Sequence, residues 1–113
     1  MTEARYYMAC LDLRGRSVLV VGAGAVALEK IHGLLDTGAC VTVVAPDVHP
    51  EIEALPVELH RREVESTDLD GRFLVVVATS TTELNRRLFA EADARSILCN
   101  VVDVPELCSF IHP

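Results

Sequence analysis

The chain of 113 residues is 50% hydrophobic and 24% charged, with no Trp, a composition that excludes intrinsic disorder and collagen-like repeats. A chain of this length buries about two-thirds of its unfolded surface, enough for one core without a disulfide or a metal. Ten Lys and Arg against seventeen Asp and Glu give a formal charge of -7, which argues against nucleic acid as a partner while leaving room for a local basic pocket.

The first ten residues carry Glu3 and Arg5 and lack the apolar stretch of a signal peptide, and no later run has the roughly eighteen apolar residues of a membrane span. Residues 18–21 are apolar and mostly β-branched without alternation, the pattern of a parallel strand buried on both faces. Between 25 and 37 the spacing changes: Ala27, Ile31, Leu34 and Leu35 mark one face of a helix, and Gly38 stands where a helix terminates. Residues 41–45 predict a second strand, closed by Pro46. A short helical turn is expected within 49–55, a weaker strand over 57–61 and a turn over 68–71.

Residues 73–78 predict a central strand running into Thr79. Ser80 followed by Glu83 has capping-box spacing, and Leu84, Leu88 and Ala92 mark the inner face of a helix to about 94. A last strand is expected over 97–102. Strands alternating with helices specify an α/β fold of Rossmann type, an open parallel sheet with helices on both faces and strand order 3-2-1-4-5. Cys10, Cys40, Cys99 and Cys108 form no Cys-x-x-Cys pair and read as reduced thiols of a cytoplasmic protein.

Gly22-Ala23-Gly24-Ala25-Val26-Ala27 joins the first strand to the first helix as a Gly-x-Gly-x-x-Ala turn. Gly22 permits the tight turn, Gly24 leaves space for a pyrophosphate, and Ala27 allows close packing of helix on strand, with free N–H groups facing the phosphates. The plainer alternative is a packing turn with no ligand. In an open parallel sheet the ligand lies at the carboxyl ends of the strands, which selects Gly22, Gly24, Ala25, Val26, Pro46, Asp47, Ala78, Thr79, Asn100 and Asp103. Asp47, 23 residues beyond Gly24, is placed to accept ribose hydroxyls, or else is a surface turn residue. No Lys or Arg follows the second strand before Arg61, so NAD is favoured over NADP. Asp103, after the last strand, could take or relay a proton; a turn carboxylate before Pro105 is the alternative.

These segments together resemble the N-terminal dehydrogenase domain of siroheme synthases, found also as separate precorrin-2 dehydrogenase/sirohydrochlorin ferrochelatase proteins. The likeness runs from Leu11-Asp12-Leu13-Arg14-Gly15-Arg16 through the glycine turn, Val43-Val44-Ala45-Pro46, Asp70-Gly71-Arg72-Phe73-Leu74-Val75, Ala78-Thr79 and Leu84-Asn85-Arg86-Arg87 to Asn100-Val101-Val102-Asp103 and Phe110-Ile111-His112-Pro113. It implies NAD-dependent oxidation of precorrin-2 to sirohydrochlorin, with insertion of ferrous iron as a further step, and it makes Asp103 the catalytic aspartate. Family members continue past the position of Pro113 into a helical dimerisation region that borders the substrate cleft. The 113 residues are therefore expected to be a single NAD-binding domain of a homodimeric enzyme.

Arg86 and Arg87 could meet the carboxylates of a tetrapyrrole, or be solvated helix residues. Cys108 and His112, four apart, are too few for a metal site, and none is expected. A rival reading from another class is a non-enzymatic NAD-sensing module, which would need neither Asp103 nor a tetrapyrrole.

Overall fold

The computed structural model describes residues 4–112. Five strands, β1 (Ser17–Val21), β2 (Cys40–Val44), β3 (Glu58–His60), β4 (Leu74–Val77) and β5 (Leu98–Val101), form one sheet. All four pairings are parallel and the order is β3-β2-β1-β4-β5, as the alternation of elements predicts. The helices are α1 (Ala25–Asp36), α2 (Pro50–Glu53) and α3 (Thr82–Ala94). Among the described residues no helix is long and apolar enough to cross a membrane.

Alternate strand residues point to opposite faces, and here both faces are covered, which is why the strands read as continuous apolar runs. Val18, Val20, Val41, Val43, Leu74 and Val76 pack with Ala27, Ile31 and Leu34 of α1. Leu19, Val21, Val75, Val77, Cys99 and Val101 pack with Leu88 and Ala92 of α3. The register is level at the carboxyl ends, where Val21 lies between Val44 and Val77, and Val77 pairs with Val101.

Helix α1 ends one residue before the expected limit, with Thr37 as its cap and Gly38 following at φ +80°. Helix α3 ends in the same geometry without a glycine: Ser96 has φ +57° while Ile97 N–H reaches the Ala92 carbonyl at 2.9 Å. The expected Ser80–Glu83 capping box does not form. The N-cap is Thr81, one residue later, with no side-chain cap, because the preceding loop is held instead by Thr79 and Asn85, as described below.

A capping box forms elsewhere, at Glu65 and Asp68, and opens a 3-10 turn over Ser66–Leu69 where the sequence suggested only a turn over 68–71. The Asp68 carboxylate accepts from Arg62 at 2.6 and 2.8 Å and from the Glu65 N–H at 2.7 Å. This side chain is one-tenth exposed, and the Arg62 guanidinium holds its pKa below the ordinary carboxylate value. A depressed folded pKa contributes stability that is complete above the unfolded value and is lost as pH falls through the folded one. We therefore expect Asp68→Asn to lower unfolding stability by about 1–3 kcal/mol at neutral pH. The gap should shrink as the pH drops below about 4. Denaturant titrations across that range test this, and a gap independent of pH would exclude the ion pair as its cause.

Candidate functional site

Hydrogen bonding continues one step past each strand at the carboxyl edge of the sheet. Gly22 N–H donates to the Val44 carbonyl at 3.0 Å, Ala78 N–H to Val21 at 2.8 Å, Ala45 N–H to His60 at 3.1 Å and Val102 N–H to Val77 at 3.0 Å. Every loop on this edge thus leaves the sheet from a fixed point. His49 N–H adds a bond of 2.8 Å to the Ala23 carbonyl, tying the loop after β2 to the glycine turn. The residues selected from the sequence accordingly lie along one edge: Pro46 and Asp47 after β2, Gly22 to Val26 after β1, Ala78 and Thr79 after β4, and Asp103 after β5.

The two glycines of the turn do different things. Gly22 has φ +105°, and a Cβ built on it would lie 2.5 Å from the Ala78 carbonyl oxygen, so both conformation and space demand glycine. Gly24 has an ordinary extended conformation, φ -89° and ψ -163°, and its Cβ would meet nothing within 4 Å. Its lack of a side chain keeps an open space in front of α1.

That space is bounded by the start of the helix. Gly24 is the N-cap with no side-chain cap, and no acidic residue occupies the first turn, so the first N–H groups and the positive end of the helix dipole face outward. Ala25 and Val26 are exposed beside it, while Ala27 is buried against the sheet. An open cradle of this kind fits the pyrophosphate of a dinucleotide.

Pro46 and Asp47 are exposed at the end of β2. The first cations after them are engaged elsewhere, Arg61 with Glu53 at 2.8 Å and Arg62 with Asp68. Thr79 is partly buried and bonded to Asn85 through both its hydroxyl and its carbonyl. Asn85 was not singled out as a site residue by sequence reasoning. The available signal was its position three before Leu88 and seven before Ala92, a polar residue on the apolar face of α3.

Asn100 is buried, and its Nδ2 donates to the Phe110 carbonyl at 3.0 Å. That bond holds the segment after β5 against the sheet. Asp103 is exposed in the turn closed by Val104 N–H on the Val101 carbonyl at 3.1 Å, and has φ +63°.

Cys108 and His112 have separate neighbours. The Cys108 thiol donates to the Val101 and Val104 carbonyls at 3.2 Å, and burial pushes its pKa up. The His112 Nδ1 lies 3.5 Å from Lys30 Nζ, and burial and then that ammonium push its pKa down. Cys99 is buried and driven to about 12. Among the described residues no three His, Cys, Asp or Glu are grouped to hold a metal. On α3, Arg86 and Arg87 are both exposed, and Arg87 pairs with Glu91 at 3.4 Å.

The contrast between the glycines is directly testable. Gly24→Val should fold with little change in unfolding midpoint, yet lose dinucleotide binding by calorimetry because its side chain fills the cradle. Gly22→Ala should instead be destabilised by roughly 2 kcal/mol or more through a backbone clash and a strained φ. Unchanged NAD affinity in Gly24→Val would defeat the assignment of the turn.

Comparison with known proteins agrees with this geometry. A family model described as "Putative NAD(P)-binding" matches residues 9–113. Siroheme synthase 1 of Cronobacter sakazakii is 54% identical over 106 residues, which are 90% of this chain and 22% of that protein. The siroheme synthase of Methylobacillus flagellatus is 46% identical over 107 residues, 91% of this chain and 23% of that one. The chain thus spans under a quarter of the length of these curated relatives. Among solved structures, SirC, a precorrin-2 dehydrogenase, superposes with a TM-score of 0.75 at 36% identity, over 96% of this chain and 52% of that one. The chain belongs to the family of NAD(P)-binding domains shared by siroheme synthases and precorrin-2 dehydrogenase.

Proposed function

We propose that the chain carries the dehydrogenase step of siroheme synthesis, the oxidation of precorrin-2 to sirohydrochlorin with NAD. The observation that carries the reading is the Asp103 carboxylate, exposed on the same sheet edge as the glycine turn. Its backbone lies at φ +63°, a left-handed conformation that Gly adopts freely and that Asn and Asp tolerate better than other side chains do. That conformation turns the carboxylate out of the strand at the edge where the glycine turn opens, which supports a chemical role.

The reaction removes a hydride and a proton from the macrocycle. When bound, NAD would supply the hydride acceptor. Asp103 takes the proton, a general-base role that suits an exposed carboxylate within reach of substrate. The Gly24 cradle and the first turn of α1 would hold the pyrophosphate, and Asp47 would accept from the adenosine ribose hydroxyls. With Arg61 and Arg62 already paired, nothing after β2 receives a 2′-phosphate, which supports NAD over NADP.

Ferrous iron is the second substrate this reading admits: its insertion releases two pyrrole protons, which the same exposed carboxylate would take one at a time, passing each to solvent. Arg86 is the exposed cation available to a substrate carboxylate. The thiols Cys10, Cys40, Cys99 and Cys108, all unpaired, and the use of NAD support a cytoplasmic setting. Two copies would form the working enzyme, as in the homodimeric family that the sequence resembles.

Absorbance-monitored conversion of precorrin-2 with NAD tests the proposal, on this chain and on any longer polypeptide its gene encodes. Asp103→Ala should lower turnover by about a hundredfold or more with NAD affinity preserved. Asp103→Gly should be as inactive while unfolding at the same or a higher temperature. Full activity in Asp103→Ala would remove the base from the mechanism, and NAD binding without turnover at any length would favour the sensing-module reading.

A further inference from the structure

We infer that Asn85 is a positioning residue for the cofactor site, clamping the loop after β4 so that the glycine turn keeps its shape. The inference rests on the reading of this edge as the NAD site. Asn85 is 5% exposed, on the face of α3 where Leu88 and Ala92 are fully buried. A buried amide is costly unless it is hydrogen-bonded, and both ends of this one are used on a single residue. Its Nδ2 donates to the Thr79 carbonyl at 3.0 Å, and its Oδ1 accepts from the Thr79 hydroxyl at 2.5 Å. Two bonds to one residue fix its rotation as well as its place.

The loop has few other restraints. It leaves the sheet at Ala78, whose N–H reaches the Val21 carbonyl at 2.8 Å, and enters α3 at Thr81, which makes no side-chain cap. The Thr79 hydroxyl stands 3.4 Å from the Thr81 N–H, and Asn85 N–H closes the first helical turn on the Thr81 carbonyl at 2.9 Å. Asn85 therefore does from within the helix what a capping residue would do from its end.

The consequence reaches the cofactor cradle through one contact. Ala78, next to the clamped Thr79, presents the carbonyl that a Cβ on Gly22 would meet at 2.5 Å. The loop after β4 is thus one wall of the glycine turn. Releasing it frees Thr79, and with it the Ala78 carbonyl, to shift relative to Gly22 and Gly24 while the Ala78 N–H stays on Val21 and the strands stay paired. Leucine at position 85 would keep the core filled, so its cost is the two bonds lost to the partly buried Thr79 and not a cavity. Core packing alone does not account for the amide.

Calorimetric NAD titration and thermal unfolding of Asn85→Leu and Asn85→Ala test the inference. Both variants release the clamp, but only alanine leaves a cavity. The expected result is a loss of NAD affinity of about tenfold in both, equivalent to about 1.4 kcal/mol, with a larger drop in unfolding temperature in Asn85→Ala than in Asn85→Leu. Thr79→Val, which removes one of the two bonds, should show a smaller loss. In turnover assays KM for NAD should rise while kcat at saturating NAD changes little. Unchanged affinity in Asn85→Leu, or affinity that falls only in step with stability, would overturn the positioning role. A parent chain that binds no NAD would instead overturn the reading of the site itself.

Discussion

The meeting of β1 and β4 at the carboxyl edge constrains everything built there. Val21 pairs with Val77, so the chain leaving β1 must turn at the height where β4 also ends, and the Ala78 carbonyl fills the space a side chain would need. Only a residue without Cβ, in the left-handed region, can make that turn. Once Gly22 has made it, α1 starts three residues later, packs its small Ala27 on the sheet and points its uncapped end outward. The cradle is thus a by-product of how closely two parallel strands are allowed to end.

Buried polar side chains finish what the strands begin. Asn85 holds the loop after β4 and Asn100 holds the segment after β5. That segment folds back along β5 through an antiparallel bridge between Asn100 and Cys108, with Ser109 exchanging bonds of 2.8 Å with Cys99. An edge strand that would otherwise offer unpaired backbone groups is covered. The turn carrying Asp103 is pinned on both sides, by β5 before it and by the returning segment after it. In the proposed reading, a carboxylate held in this way keeps its direction for proton transfer.

Much of this was legible in the sequence because burial on both faces leaves a strong mark. Strands 1, 2, 4 and 5 appear as unbroken apolar runs, the order of elements predicts the sheet order, and the glycine turn announces itself by position as much as by composition. The short β3 was visible only faintly, since its Glu58 and His60 are charged or polar and half outside the core. The Ser80–Glu83 pattern misled, because capping motifs record local spacing and cannot register a tertiary clamp. Asn85 was passed over for a related reason: reading a helix by its apolar positions discards the polar residue among them. Asn100 stood out by its place at the end of a strand, yet its amide is spent on Phe110, a partner ten residues away that no local pattern indicates.

An acidic chain that holds an anionic dinucleotide looks contradictory until the range of the forces is compared. Most described arginines are already paired: Arg14 with Asp12, Arg61 with Glu53, Arg62 with Asp68, Arg87 with Glu91 and Arg95 with Asp70. None of these pairs lies on the glycine turn. In the proposed reading a pyrophosphate is met by backbone N–H groups and a helix end, whose partial charges act over a few ångströms and need no side-chain cation. The surplus of carboxylates acts at longer range and is screened over about 8–10 Å of ordinary salt. A substrate with many carboxylates has no such refuge in the backbone and must find cations. Arg86, exposed on α3, is one source, and a polypeptide partner covering the same edge would be the other. In the proposed reading the chemistry therefore divides, with the cofactor met by the fold's own backbone and the substrate by side chains at its rim.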